Sequence, residues 1–132
     1  MSPEPPKWLS VRLVLVLHDE ALAQFGGLSG VRDEGLLESA IQRPTQLYHY
    51  GENPSLFGLA ASLCLGLVKN HPFVDGNKRT AFLSSAVFLF RNGWDFAPRP
   101  GDPTNIIRAV AAGEADEVLL SRWFEEFSSP VK

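Results

Sequence analysis

Two long apolar stretches joined by a short polar turn constrain this chain more than any other feature. Residues 54–70 and 78–92 both carry apolar side chains at helical spacing. In the first, Leu56, Ala60, Leu63 and Leu67 share one face and Phe57, Ala61, Cys64 and Val68 the next. In the second, Ala81, Phe82, Leu83, Ala86, Val87, Leu89 and Phe90 leave little polar face. Helices apolar nearly all round must be buried, so the pair reads as a central hairpin with its turn at the surface. The turn is His71-Pro72-Phe73-Val74-Asp75-Gly76-Asn77-Lys78-Arg79. Pro72 disfavours helix at His71, which ends the first helix near Asn70. Gly76 permits a tight turn, and Asn77 is a favourable N-cap for the second helix.

The same turn concentrates chemistry. His71 stands at a helix C-terminus, where the dipole favours a protonatable ring. Histidine as a residue type suits removal of a proton from an attacking hydroxyl. The next helix offers its free N-terminal N–H groups to an anion, beside Lys78 and Arg79. Two cations at a helix N-terminus oppose the dipole, and an anionic ligand explains them better than a solvated surface does. Gly76 and Asn77 would donate to phosphate oxygens from backbone and side chain, with Arg79 offering bidentate geometry. Asp75 lies between base and cradle, where a carboxylate could hold Mg²⁺ against phosphate. Lys69 is a further candidate contributor to the positive field. The bland alternatives are a capping His, a dipole-stabilising Asp and solvated cations. Phe73 reads as the apolar anchor of the loop.

These residues resemble the signature of the Fic/Doc family, His-x-Phe-x-(Asp/Glu)-(Gly/Ala)-Asn-(Gly/Lys)-Arg. Lys78 makes the likeness closer to the Doc branch, the death-on-curing toxins of type II toxin–antitoxin systems. Leu17-His18-Asp19, Gly26-Gly27-Leu28-Ser29-Gly30, Gly35-Leu36-Leu37-Glu38-Ser39-Ala40 and Thr80-Ala81-Phe82 extend it over nearly the whole chain. The resemblance implies a toxin kinase with His71 as general base. Its co-substrate would be ATP with Mg²⁺, and its target a Thr or Ser hydroxyl of a translation factor, namely elongation factor Tu. It also implies a cognate antitoxin encoded by a neighbouring gene. A Fic-type nucleotidyl (AMP) transferase and a catalytically silent binding module are the alternatives. The longer Fic signature has a second Arg where this chain has Phe82, and the inhibitory Ser/Thr-x-x-x-Glu-Gly/Asn pattern is absent. Both departures put Fic-type self-inhibition in doubt. Lys78 and Phe82 together favour an inverted nucleotide with its γ-phosphate toward His71.

Other stretches read as scaffold. Ser10 caps a helix to Phe25, ended by Gly26-Gly27; His18 on its apolar face reads as a core His bonded to backbone. His18-Asp19 alone lacks the further ligands of a metallohydrolase. The Gly-rich run 26–32 has no Gly-Lys-Ser/Thr and reads as a connector. Asp33 caps a helix ending at Pro44, and residues 45–53 read as a loop or short hairpin. By resemblance Tyr48, His49, Tyr50 and Gly51 form a flap over the active site; surface aromatics packed on helices is the equal alternative. Asn53-Pro54 starts the first central helix. Residues 94–96 read as a brief extended segment, 102–112 as a helix, and Asp116 as the cap of a last helix with Leu120, Trp123, Phe124 and Phe127 inward.

The chain of 132 residues therefore reads as a single all-α domain of about six helices over residues 9–127, with at most a small β flap. A loose N-terminus, 1–8, and a tail, 128–132, flank it. No apolar run reaches membrane-spanning length, and the lone Cys64 suits a reducing cytoplasm. A net charge of −3 argues against general nucleic-acid binding.

Overall fold

Four helices begin at side-chain caps. Ser10, Asp33, Ser55 and Asp116 each accept a hydrogen bond from the N–H three residues on, at 2.9–3.1 Å. They open α1 (Val11–Phe25), α2 (Glu34–Tyr50), α3 (Leu56–Asn70) and α6 (Glu117–Glu126). Gly76 and Gly101, both in left-handed geometry, precede α4 (Asn77–Arg91) and α5 (Asp102–Ala111). Strands β1 (Trp94–Phe96) and β2 (Ser128–Pro130) pair antiparallel, with Trp94 opposite Pro130 and Phe96 opposite Ser128. The computed structural model describes residues 4–132. Within them the chain is all-α apart from that small sheet.

Helix α3 is the hub. Most of its side chains are buried, from Phe57 to Val68, and α2, α4 and α6 pack around it. Gly66 allows α2 to come close: a Cβ there would lie 3.2 Å from Ala40 Cα. Burial pushes the Cys64 thiol up to about 12, so it behaves as a small apolar group. No helix is long and apolar enough, among the described residues, to cross a membrane.

The structure corrects several boundaries. Helix α2 runs through Pro44 to Tyr50 instead of ending at Pro44. Proline removes the N–H that would bond the Ala40 carbonyl, but Pro44 continues the buried stripe of Leu37, Ala40 and Ile41, and half-buried Leu47 packs against the core beyond it. Burial along that stripe outweighs the missing bond. Ser55, not Asn53, caps α3. Residues 128–130 of the expected tail form β2, paired with β1. The expected loose terminus is held from Lys7 onward: its N–H and carbonyl both bond the Asn92 side-chain amide, and Trp8 stacks on Phe88. Residues 1–3 lie outside the described part. In α4 the buried face is Asn77, Thr80, Ala81, Ser84, Ser85, Phe88 and Leu89, while Phe82 and Leu83 are half-buried and Phe90 is exposed. Small hydroxyl residues let α4 pack close to α3, with Ser85 Oγ donating to its own helix at Ala81 O (2.8 Å).

Candidate active site

Segment 71–79 leaves α3 and enters α4 under tight hydrogen-bond control. The last helical residue is Asn70, as Pro72 requires, and His71 turns the chain in left-handed geometry (φ 51°, ψ 54°). Phe73 is fully buried and its ring stacks on that of His18, 3.8 Å between centroids. His18 is buried as expected, and its Nε2 donates to the Asp75 carbonyl at 2.9 Å. Phe73 is thus the apolar anchor of the loop, and His18 is its backing.

Asn77 does different work from that expected of it. Gly76 occupies the N-cap position, and Asn77 is the first residue of α4. The Asn77 side chain is buried and closes a ring with Phe73: Oδ1 accepts from Phe73 N–H, and Nδ2 donates to Phe73 C=O, both at 2.9 Å. Its amide is therefore used inside the protein, with one of its two Nδ2 hydrogens committed to the Phe73 carbonyl. The N–H groups of Asn77, Lys78 and Arg79 remain, since first-turn amides have no intrahelical acceptor. The Thr80 N–H already bonds the Gly76 carbonyl at 3.0 Å.

Asp75 projects from the loop into solvent. Its carboxylate accepts from Leu28 N–H (3.1 Å) and Gly76 N–H (2.9 Å). These bonds hold its pKa below the usual carboxylate range; slight desolvation opposes them, and the charges of His18 and Arg79 assist. The carboxylate is therefore ionised at neutral pH. Each oxygen uses one lone pair on the backbone and keeps another for a cation.

Lys78 and Arg79 are exposed and line a cavity of about 580 Å³ between α1, α4 and α5. Its walls are mostly apolar, including Phe25, Phe82, Leu83 and Ile107, with Arg108 at one side. The Arg79 guanidinium lies 3.8 Å from the centre of the Phe25 ring, a cation–π contact that orients it. The arrangement gives an anion charged donors in the wall of a cavity whose lining is otherwise mostly apolar.

The expected flap is not where the sequence placed it. Tyr48, His49 and Tyr50 form the last turn of α2, and Gly51 caps it. That helix starts beside Pro72, and its 17 residues carry the last turn about 25 Å away. Tyr48 packs edge-on against Trp8. Lys69 is exposed in the last turn of α3. What lies along the loop instead is segment 26–33, read as a connector from its glycines. Val31 bridges Phe73, Val74 N–H bonds Gly30 C=O, and Arg32 and Asp33 N–H both bond Pro72 C=O. Gly27 sits so near Asp75 that a Cβ there would fall 2.9 Å from its Oδ2. The glycines are required by this close approach and by positive φ at Gly27 (123°) and Gly30 (121°).

The Fic/DOC family model matches residues 8–89. Among curated proteins, "Protein kinase doc" of Escherichia phage P1 is 38% identical over 106 residues, covering 80% of this chain and 83% of its own length. "Toxin Doc" of Mycolicibacterium smegmatis (strain ATCC 700084 / mc(2)155) is 46% identical over 74 residues, covering 55% of this chain and 57% of its own.

The ring between Asn77 and Phe73 predicts the behaviour of Asn77→Asp. A carboxylate can still accept from Phe73 N–H but leaves its buried carbonyl without a donor, at a cost of about 1–3 kcal/mol. The variant should melt lower than the wild type and exchange its Phe73 amide faster, measured by hydrogen exchange. Unchanged melting and exchange would mean that the ring does not hold the loop.

Proposed function

The chain belongs to the Fic/DOC family, and from that membership we propose that it is a Doc-like toxin kinase. It would transfer the γ-phosphate of ATP to a Thr or Ser hydroxyl of a translation factor, elongation factor Tu being the one implied by family resemblance. Translation would stop, and the reaction would take place in the cytoplasm. One observation carries this reading: a single short loop presents an exposed His, an ionised carboxylate and a doubly cationic helix N-terminus in succession.

In this reading His71 accepts the proton of the target hydroxyl as its oxygen attacks the γ-phosphorus. The bond between the γ-phosphorus and the bridging oxygen breaks, and ADP leaves. Lys78, Arg79 and the first-turn N–H groups of α4 neutralise the phosphate chain, which is where such a reaction gains most. The apolar cavity beside them would take the nucleoside. Asp75 would hold Mg²⁺, and its exposed carboxylate fits that cation, which binds proteins through one or two carboxylates together with substrate phosphates. Mg²⁺ supplies charge neutralisation on the phosphates. Phe82 makes part of the cavity wall apolar, which supports an inverted nucleotide.

Control would come from a second protein, since the chain carries no inhibitory pattern of the Fic kind. A small antitoxin encoded next door would fold a disordered tail onto the toxin. Co-expression with it should restore growth and yield a stable complex. A harmless isolated chain with no neighbouring product bound would end this part of the reading.

The direction of transfer is open to a direct test. The protein is offered ATP labelled at either the α- or the γ-phosphate, together with a bacterial lysate. The γ-label should appear on one main protein band and the α-label on none. Transfer of the α-label would replace the kinase with a nucleotidyl transferase. Bound nucleotide with neither label moved would favour a different substrate or a silent binding module.

A further inference from the structure

Three consecutive carbonyl oxygens around His71 accept hydrogen bonds from one residue. Arg32 Nη2 donates to Asn70 O at 2.9 Å, Arg32 Nε to His71 O at 2.7 Å, and Arg32 N–H to Pro72 O at 2.7 Å. We propose that Arg32 is a positioning residue that fixes the working geometry of His71. The inference rests on the reading of His71 as the base.

Left-handed geometry is rare for a residue with a side chain, and it persists only where the surroundings impose it. His71 is also followed by Pro72, which narrows its choices further. The last carbonyls of α3 have no intrahelical donors, so they need partners from elsewhere. The planar guanidinium supplies two donors in fixed relation and ties both carbonyls at once. Arg32 itself is held by its neighbour: Asp33 N–H also bonds Pro72 O (3.1 Å), and Asp33 caps α2. The ring of His71 is exposed and makes no hydrogen bond among the described residues. Its position is therefore set by its main chain, and its main chain is set by Arg32. The guanidinium makes no ion pair among the described residues, so its donors are directed at backbone carbonyls.

A simple helix cap would account for the two side-chain bonds but not for any change in turnover. Arg32→Ala and Arg32→Lys separate the two roles. Lysine keeps the charge and can reach one carbonyl, not both in a fixed fork. Arg32 is exposed, so neither change opens the core. Full-length proteins labelled with ¹³C-histidine give three sets of signals, for His18, His49 and His71, assigned with His71→Ala. Arg32→Ala should shift the Cα and ring signals of His71 and leave those of His18 and His49 in place. The maximal rate of γ-label transfer should fall by between about tenfold and about a hundredfold, the usual scale for a misplaced catalytic group, with little change in KM for ATP. Arg32→Lys should fall between Ala and wild type in both measurements. Unmoved His71 signals in both variants would overturn the proposal, as would wild-type turnover with the signals moved. If wild-type protein transfers no phosphate but the His71 signals move, the positioning stands and the kinase reading falls.

Discussion

The turn between α3 and α4 must bury Phe73 while keeping the polar backbone on either side of it bonded, and the Asn77 amide does this. One side chain satisfies both main-chain groups of Phe73 and joins the first residue of α4 to the middle of the loop. A buried amide or carbonyl without a partner is costly, so the ring and the burial of Phe73 require each other. His18 completes the arrangement from α1, stacked on Phe73 and bonded to Asp75 O. The candidate site residues then lie on the outer side of this plug. His71, Asp75, Lys78 and Arg79 are all exposed, and none contributes to the core. Rigid support beneath and exposed polar groups above is the division that a site on a loop needs.

The second support comes from segment 26–33, which runs beside the loop and is bonded to it at Pro72, Val74 and Asp75. Its Leu28 is exposed beside Asp75, and Val74 of the loop is exposed next to Gly30. The carboxylate expected to meet the metal is thus also the group that ties this segment down. A single side chain at Gly27 would push against Asp75, which gives the glycine a role in the geometry of the site.

The central hairpin, the ends of α1 and α3, the core placement of His18 and the caps at Ser10, Asp33 and Asp116 were all legible in the sequence. They depend on local chemistry: capping oxygens, proline geometry and apolar period. What was not legible depends on contacts distant along the chain. Pro44 stayed in a helix because burial along α2 outweighed one missing bond. The strand at 128–130 exists because β1 offers it an edge. Asn77 looked like a cap because asparagine before an apolar run usually is one; its actual partner, Phe73, is four residues back in the loop. Arg32 gave no local sign, since its acceptors lie 38 and 39 residues away. The glycines of 26–30 were the visible trace of the segment along the loop, but they suit a connector equally well. The expected flap at Tyr48–Gly51 came from likeness alone, and the length of α2 carries those residues to the far end.

As the proposed base, His71 should act in chemistry and not in folding, because an exposed ring on a separately braced loop supports nothing. His71→Ala measures this most directly, with circular dichroism, thermal melting and growth arrest followed at matched expression. The variant should show a wild-type spectrum, a melting temperature close to that of the wild type and no growth arrest. Full growth arrest by the variant would contradict it and remove His71 from the mechanism.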